Sequence, residues 1–127
     1  MIPTDRGDAF RPHVGGSVFN TAIGIGRQSV GVGLLSGVSK DLFGSQLEEA
    51  LEESEVDTSY MIRSERPTTL AFVQVVDGVA SYTFYDENTA GRILHREDMP
   101  LALSHNVKAL FFGGISLAVE PCADAYM

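Results

Sequence analysis

The chain has 127 residues, 44% of them hydrophobic and 20% charged. That is at most one compact domain of about 100–150 residues, and its composition is that of a protein that buries a core, not of a disordered one. With 17 acidic against 9 basic residues the net charge is −8, a sign that repels phosphate backbones and anionic membrane surfaces, so nucleic acid and membrane are not the expected partners. The single cysteine, Cys122, has no internal disulfide partner, and no stretch approaches the about 20 apolar residues of a membrane span, so a cytoplasmic protein is the expectation.

In chain order, Ala9 to Val14 mixes apolar and polar residues like an exposed strand, and Pro12 confines it to an edge. Gly15-Gly16 then opens a helix from Phe19 to about Ser29, where Phe19, Ala22, Ile23 and Gly26 recur at helical spacing and Ser17 or the glycines cap the start. The nearly continuous apolar run Val30 to Val38 predicts a strand buried on both faces, as in parallel sheets. A second helix is predicted from about Leu42 to Ser54, with Asp41 as N-cap and Phe43, Leu47, Ala50 and Leu51 on one stripe. Glu48 to Asp57 is mostly acidic, which predicts a solvated outer face.

Thr68–Val76 and Val79–Tyr85 are β-rich and joined by Asp77-Gly78, a strong signal for a tight antiparallel hairpin. Val107–Phe112 is predicted as another buried strand, ended by Gly113-Gly114, and Glu120-Pro121 opens a last helix that Met127 cuts off after about one turn. Strand, helix and strand in alternation make this α/β, and the order implies a parallel sheet larger than these strands supply, so the expectation is a part of a larger domain.

Several chemistries are excluded. Gly24-Ile-Gly26 lies inside a predicted helix, not at the strand-to-helix turn that a dinucleotide needs, and no Walker A sequence occurs. His13, His95 and His105 lack metal-ligand spacing, so no metal is assigned. A better candidate is Gly15-Gly16 followed by Asn20: two glycines let backbone approach a ligand, and an asparagine one turn into the helix offers a hydroxyl both a donor and an acceptor. The same residues also read as a helix cap with an incidental asparagine. On the second hairpin strand Tyr82, Phe84 and Asp86 project to one side and Thr83 and Tyr85 to the other, a face that either covers a polar ligand or packs the hairpin on the body.

Together these residues resemble the PfkB (ribokinase-like) family of carbohydrate kinases, in its bacterial fructokinase branch. Gly15-Gly16, Asn20, Ala22, Ser29 and Asp41-Leu42-Phe43-Gly44 look like its N-terminal signature, although Val18 stands where a small residue is usual and Ser39 where glycine is usual. Arg66 to Val73 with Tyr82 to Arg92 resembles the lid hairpin, and Phe111 to Ser116 the strand and turn after it.

The resemblance implies a ribokinase-like parallel-sheet sandwich with a small antiparallel β lid, of which residues 1–127 are the N-terminal portion with lid segments at about 9–14 and 66–92. It implies transfer of a phosphoryl group from ATP, with Mg²⁺, to a sugar hydroxyl, fructose being the expected sugar, and a homodimer formed through the lid. Carried over residue by residue, Gly15, Gly16, Asn20, Phe84, Asp86 and Asn88 are the expected sugar contacts. Asp86 stands where related kinases often have arginine, and its carboxylate would repel a sugar acid. The catalytic base and the ATP site are expected outside these residues, leaving the segment inactive alone. Two competing readings are a non-catalytic sugar-binding or dimerising module, supported by the exposed aromatic hairpin, and an α/β oxidoreductase, which lacks a placed phosphate loop.

Overall fold

The computed structural model describes residues 1–127. Its body begins with helix α1 (Ser17–Gly26) and helix α2 (Leu42–Glu53). The strand labels are β1 (Ile2–Pro3), β2 (Phe10–Arg11), β3 (Gly37–Ser39), β4 (Ile62–Ser64), β5 (Leu70–Val76) and β6 (Val79–Tyr85). Two short helices, α3 (Gly114–Ala118) and α4 (Cys122–Tyr126), finish the chain.

Helix α2 starts where its sequence places the cap: Asp41 accepts the Gly44 amide at 2.8 Å, satisfying one of the donors that every helix start leaves free. Its apolar stripe points inward, with Leu51 fully buried, while Glu49, Glu52, Glu53, Glu55 and Asp57 are exposed as the charge pattern predicts. Helix α1 has no side-chain cap; Gly16 holds the N-cap position at φ 124°, a conformation that side-chain-bearing residues avoid. It ends at Gly26, short of the predicted Ser29, because Ser29 turns left-handed at φ 57° and its amide closes on the Gly26 carbonyl at 2.8 Å.

Strands β3 and β4 pair in parallel, Val38 opposite Arg63, with a further parallel bridge between Gly33 and Asp57. The core lies where the helices meet this pair: Ala22, Leu34, Val38, Leu51, Val56 and Met61 are buried, with Val18, Phe19, Ile23 and Val32 packed on them. Backbone also meets backbone closely. A Cβ at Gly26 would collide with the Ser54 carbonyl, one at Gly37 with the Ala90 carbonyl, and one at Gly44 with the Ser39 carbonyl.

Two predicted strands are corrected. The run from Val30 to Val38 is regular only from Gly37; before that it follows residues 57–62 through single bonds, such as Leu34 N–H to the Asp57 carbonyl at 3.0 Å and Ile62 N–H to the Ser36 carbonyl at 2.9 Å. Residues Val107–Phe112 form no strand, and Phe111 is 63% exposed. A strand buried on both faces needs hydrogen-bonded neighbours, and all three sheets here are two-stranded. Helix α4 begins beside Pro121 as expected, whereas α3 carried no clear sequence signal. Tyr126 ties α4 to the body by donating its hydroxyl to the Leu35 carbonyl at 3.3 Å.

The hairpin forms as predicted. Strands β5 and β6 pair from Leu70 opposite Tyr85 to Val76 opposite Val79, and Asp77 and Gly78 both take positive φ, 51° and 78°, which matches the right-handed twist of the strands. One face carries edge-to-face contacts of Phe72 with Phe10 at 5.0 Å and with Tyr85 at 5.5 Å, so β2 packs on the hairpin. On the other face Tyr82 and Phe84 stack at 6.2 Å. The β1–β2 pair joins the hairpin edge through Met1, which donates to the Ala71 carbonyl at 2.7 Å and accepts from the Val73 amide at 3.0 Å.

The close approach at Gly37 gives a stability prediction. Gly37→Ala forces a methyl into the Ala90 backbone and costs about 1–3 kcal/mol. Gly24→Ala, in helix α1 with open space around it, gains about 0.5–1 kcal/mol. Urea unfolding of the two variants measures both signs.

Candidate substrate cleft at the root of the hairpin

Where the chain enters and leaves the hairpin, a few side chains fix both roots. The Asp41 carboxylate that caps α2 also accepts the Thr68 amide at 2.9 Å and the Thr68 hydroxyl at 2.7 Å. Opposite it, the Ala90 amide donates to the Pro67 carbonyl at 2.9 Å. The Thr69 and Thr89 hydroxyls meet at 2.7 Å, and Thr89, which is buried, also donates to the Asp86 carbonyl at 2.8 Å. Burial alone would push the Asp41 carboxyl up, but the hydrogen bonds from Thr68, Gly44 and Ser39 outweigh it and hold the pKa at about 2, against an ordinary 3.8.

Above these roots lies a cleft of about 500 Å³, lined by Pro67, Thr68, Leu70, Phe84, Tyr85, Asp86, Glu87, Thr89 and Arg92. Its polar centre is an ion pair: Arg92 Nη1 lies 3.0 Å from Asp86 Oδ2, both side chains about one-third exposed or less. Arg92 Nε also donates to the Glu120 carbonyl at 3.1 Å. The cleft therefore offers an aromatic wall, a threonine floor, and a carboxylate beside a guanidinium, all suited to a small polar molecule with hydroxyl groups. No three His, Cys, Asp or Glu side chains converge in the structure.

Of the residues singled out from the sequence, Phe84 and Asp86 line this cleft. Asn88 does not; it is exposed and left-handed at φ 58° in the turn that leads to Thr89, a conformation asparagine tolerates better than most residues. Gly15, Gly16 and Asn20 form a separate group at the start of α1, where the Asn20 amide donates to the Gly16 carbonyl at 2.8 Å. A Cβ on Gly15 would sit 3.8 Å from Asn20 Oδ1. No hydrogen bond or ion pair joins this group to the lid residues. The Gly113 backbone lies over the start of the same helix, where a side chain would collide with Val18 and approach the Ser17 hydroxyl; the larger residue at position 18 is thus accommodated by the missing one at 113.

Sequence reasoning missed three contributors. Arg92 was recognisable only as the opposite charge across a turn from Asp86. Thr89 and the second role of Asp41 left no local pattern, because their partners lie far along the chain.

An α/β body carrying an antiparallel hairpin matches the fold of the N-terminal part of ribokinase-like sugar kinases. The pfkB family carbohydrate kinase profile matches residues 3–127, and the chain belongs to this family. It is 43% identical to a fructokinase of Rhizobium leguminosarum bv. trifolii over 99% of this chain and 39% of that protein. It is 30% identical to a 5-dehydro-2-deoxygluconokinase of Geobacillus thermodenitrificans over 97% of this chain and 37% of that protein. Among solved structures, a sugar kinase of Pyrococcus horikoshii in complex with ATP superposes with a TM-score of 0.84 at 30% identity, covering 98% of this chain and 43% of that one. The chain spans about two fifths of the length of the relatives it matches. The expected fold class holds, antiparallel hairpin included.

The Asp41 tie predicts an acid response. Its pKa is lower folded than unfolded, so its hydrogen bonds contribute full stability above the unfolded value of 3.8, and that contribution is lost as pH falls through the folded value of about 2. Thr68→Val removes one donor and moves the Asp41 titration upward toward the ordinary value. Asp41→Asn flattens this part of the stability profile. Carboxyl NMR titration and unfolding followed from about pH 6 to about pH 2 read the two effects.

Proposed function

We propose that residues 1–127 are the sugar-binding and lid portion of an ATP-dependent sugar kinase that converts fructose and ATP to fructose phosphate and ADP. The observation that carries this reading is the cleft at the hairpin root with Phe84 and Asp86 in its lining, in a chain 43% identical to a fructokinase across nearly its whole length. Fructose is preferred to the gluconate-type acid that the Geobacillus relative's name points to, because the one cationic side chain in the cleft lining, Arg92, is already paired with Asp86, and Glu87 leaves the lining with a net negative charge.

Phe84 offers the sugar an apolar face and Asp86 accepts from a hydroxyl. Gly15, Gly16 and Asn20 form the facing wall, reached when the lid lies over the bound sugar. Asn88 contributes by holding the turn that brings Thr89 and Arg92 under the hairpin. The base that takes the hydroxyl proton, the donors that stabilise the transferring phosphoryl group, and the groups that hold ATP and Mg²⁺ belong to the remainder of the kinase. Support for such a remainder comes from the apolar surface of Leu110, Phe111 and Ile115, each at least 59% exposed. That surface is suited to packing against further elements of one domain. The outer hairpin residues Val75 and Tyr82, 61% and 59% exposed, are the proposed contact between two copies.

The experiment is a coupled ADP-release assay on the intact kinase with a panel of sugars, beside the 127-residue chain alone. Fructose-dependent ADP release by the intact protein and none by the segment is the expected result; release with no sugar above background overturns the reading. Asn20→Ala in the intact protein, which deletes a donor and an acceptor, raises the KM for the sugar about tenfold or more with a smaller change in kcat.

A further inference from the structure

Asp86 does not face the cleft as a bare charge. Its Oδ2 is taken by Arg92 Nη1, and the guanidinium is held in place from the other side by the Glu120 carbonyl on Nε. Two groups are left without a partner in the chain, Asp86 Oδ1 and Arg92 Nη2. The pair thus keeps an unused acceptor and an unused donor among the residues that line the cleft, with its two charges opposed and with Glu87 as a further lining residue.

We propose that the Asp86–Arg92 pair is a charge-balanced hydroxyl reader that selects neutral sugars over sugar acids, and that Arg92 is a specificity-determining residue of the cleft. The proposal rests on the sugar-kinase reading above. A neutral polyol fits because one hydroxyl donates to the free carboxylate oxygen while its neighbour accepts from the free guanidinium N–H. A sugar acid does not fit. Its carboxylate must either displace Asp86 from Arg92 or lie beside the Asp86 and Glu87 carboxylates, and both are unfavourable. Partial exposure of the pair, 33% for Arg92 and 28% for Asp86, keeps the discrimination moderate, about tenfold per charge change instead of thousandfold. Selection here is by an occupied cation: removing Asp86 frees Arg92 to bind the acid.

The test uses the intact kinase, with the KM for D-fructose and the competitive inhibition constant of D-gluconate measured for each protein. The reading is the ratio of the inhibition constant to the KM. Asp86→Asn lowers that ratio about tenfold by releasing Arg92, and Arg92→Gln raises it by leaving Asp86 unbalanced. The double variant returns to within a few-fold of wild type, since its cleft again has paired polar groups and no local charge change. Circular dichroism of each variant confirms that it is folded, and the two single variants moving the ratio in opposite directions cannot come from general loosening. A wild-type protein that turns over fructose, with a ratio that stays put in Asp86→Asn and Arg92→Gln, overturns the charge reader alone. A wild-type protein that turns over no sugar overturns the kinase reading and this proposal with it.

Discussion

One carboxylate, Asp41, holds the hairpin to the body. A helix start leaves donors that need an acceptor, and Asp41 supplies it to Gly44. Its remaining capacity goes to the amide and hydroxyl of Thr68, the residue at which the chain leaves the body and begins the hairpin. The first turn of α2 and the root of the hairpin are therefore set by the same group. Because Thr68 also lines the cleft, the floor of the cleft inherits the position of that helix. The other root is fixed by backbone contact, with Ala90 seated against Gly37 of β3, so both ends of the hairpin are referred to the body.

What was legible in the sequence follows from how local its cause is. The hairpin was legible because Asp77-Gly78 sets its turn and alternation sets its faces. Helix α2 was legible because Asp41 and the Phe43–Leu47–Ala50–Leu51 stripe lie within one element. The strands at 30–38 and 107–112 were not, since an apolar run reports a wish for burial, while a parallel strand exists only where a neighbour offers hydrogen bonds. Helix α1 was expected from Phe19 to about Ser29 and lies two residues earlier at its start and three at its end, because a left-handed Ser29 has no signature in residue type.

The site divided in the same way. Side-chain alternation, a local rule, put Phe84 and Asp86 on one side, and both line the cleft. Arg92 was not assigned a role, since its meeting with Asp86 depends on a turn in which Asn88 goes left-handed and Thr89 is drawn down to Thr69. This changes the meaning of Asp86, which as a lone residue reads as a negative charge and in place reads as half of a neutral couple. The glycines show the complementary limit: Gly37 and Gly44 look like flexible punctuation, yet each marks a point where two backbones touch.

The tether from Tyr126 to the Leu35 carbonyl spans 91 positions. Helices α1 and α2 and the β3–β4 pair all lie within the first 64 residues, and Tyr126 is the residue that fastens helix α4 to them. Contacts so distant in sequence slow folding, because the loop they close must be ordered before the contact rewards it. During synthesis, then, the early segment must persist on its small core while the hairpin is made, and it acquires this fastening only after the hairpin is already in place.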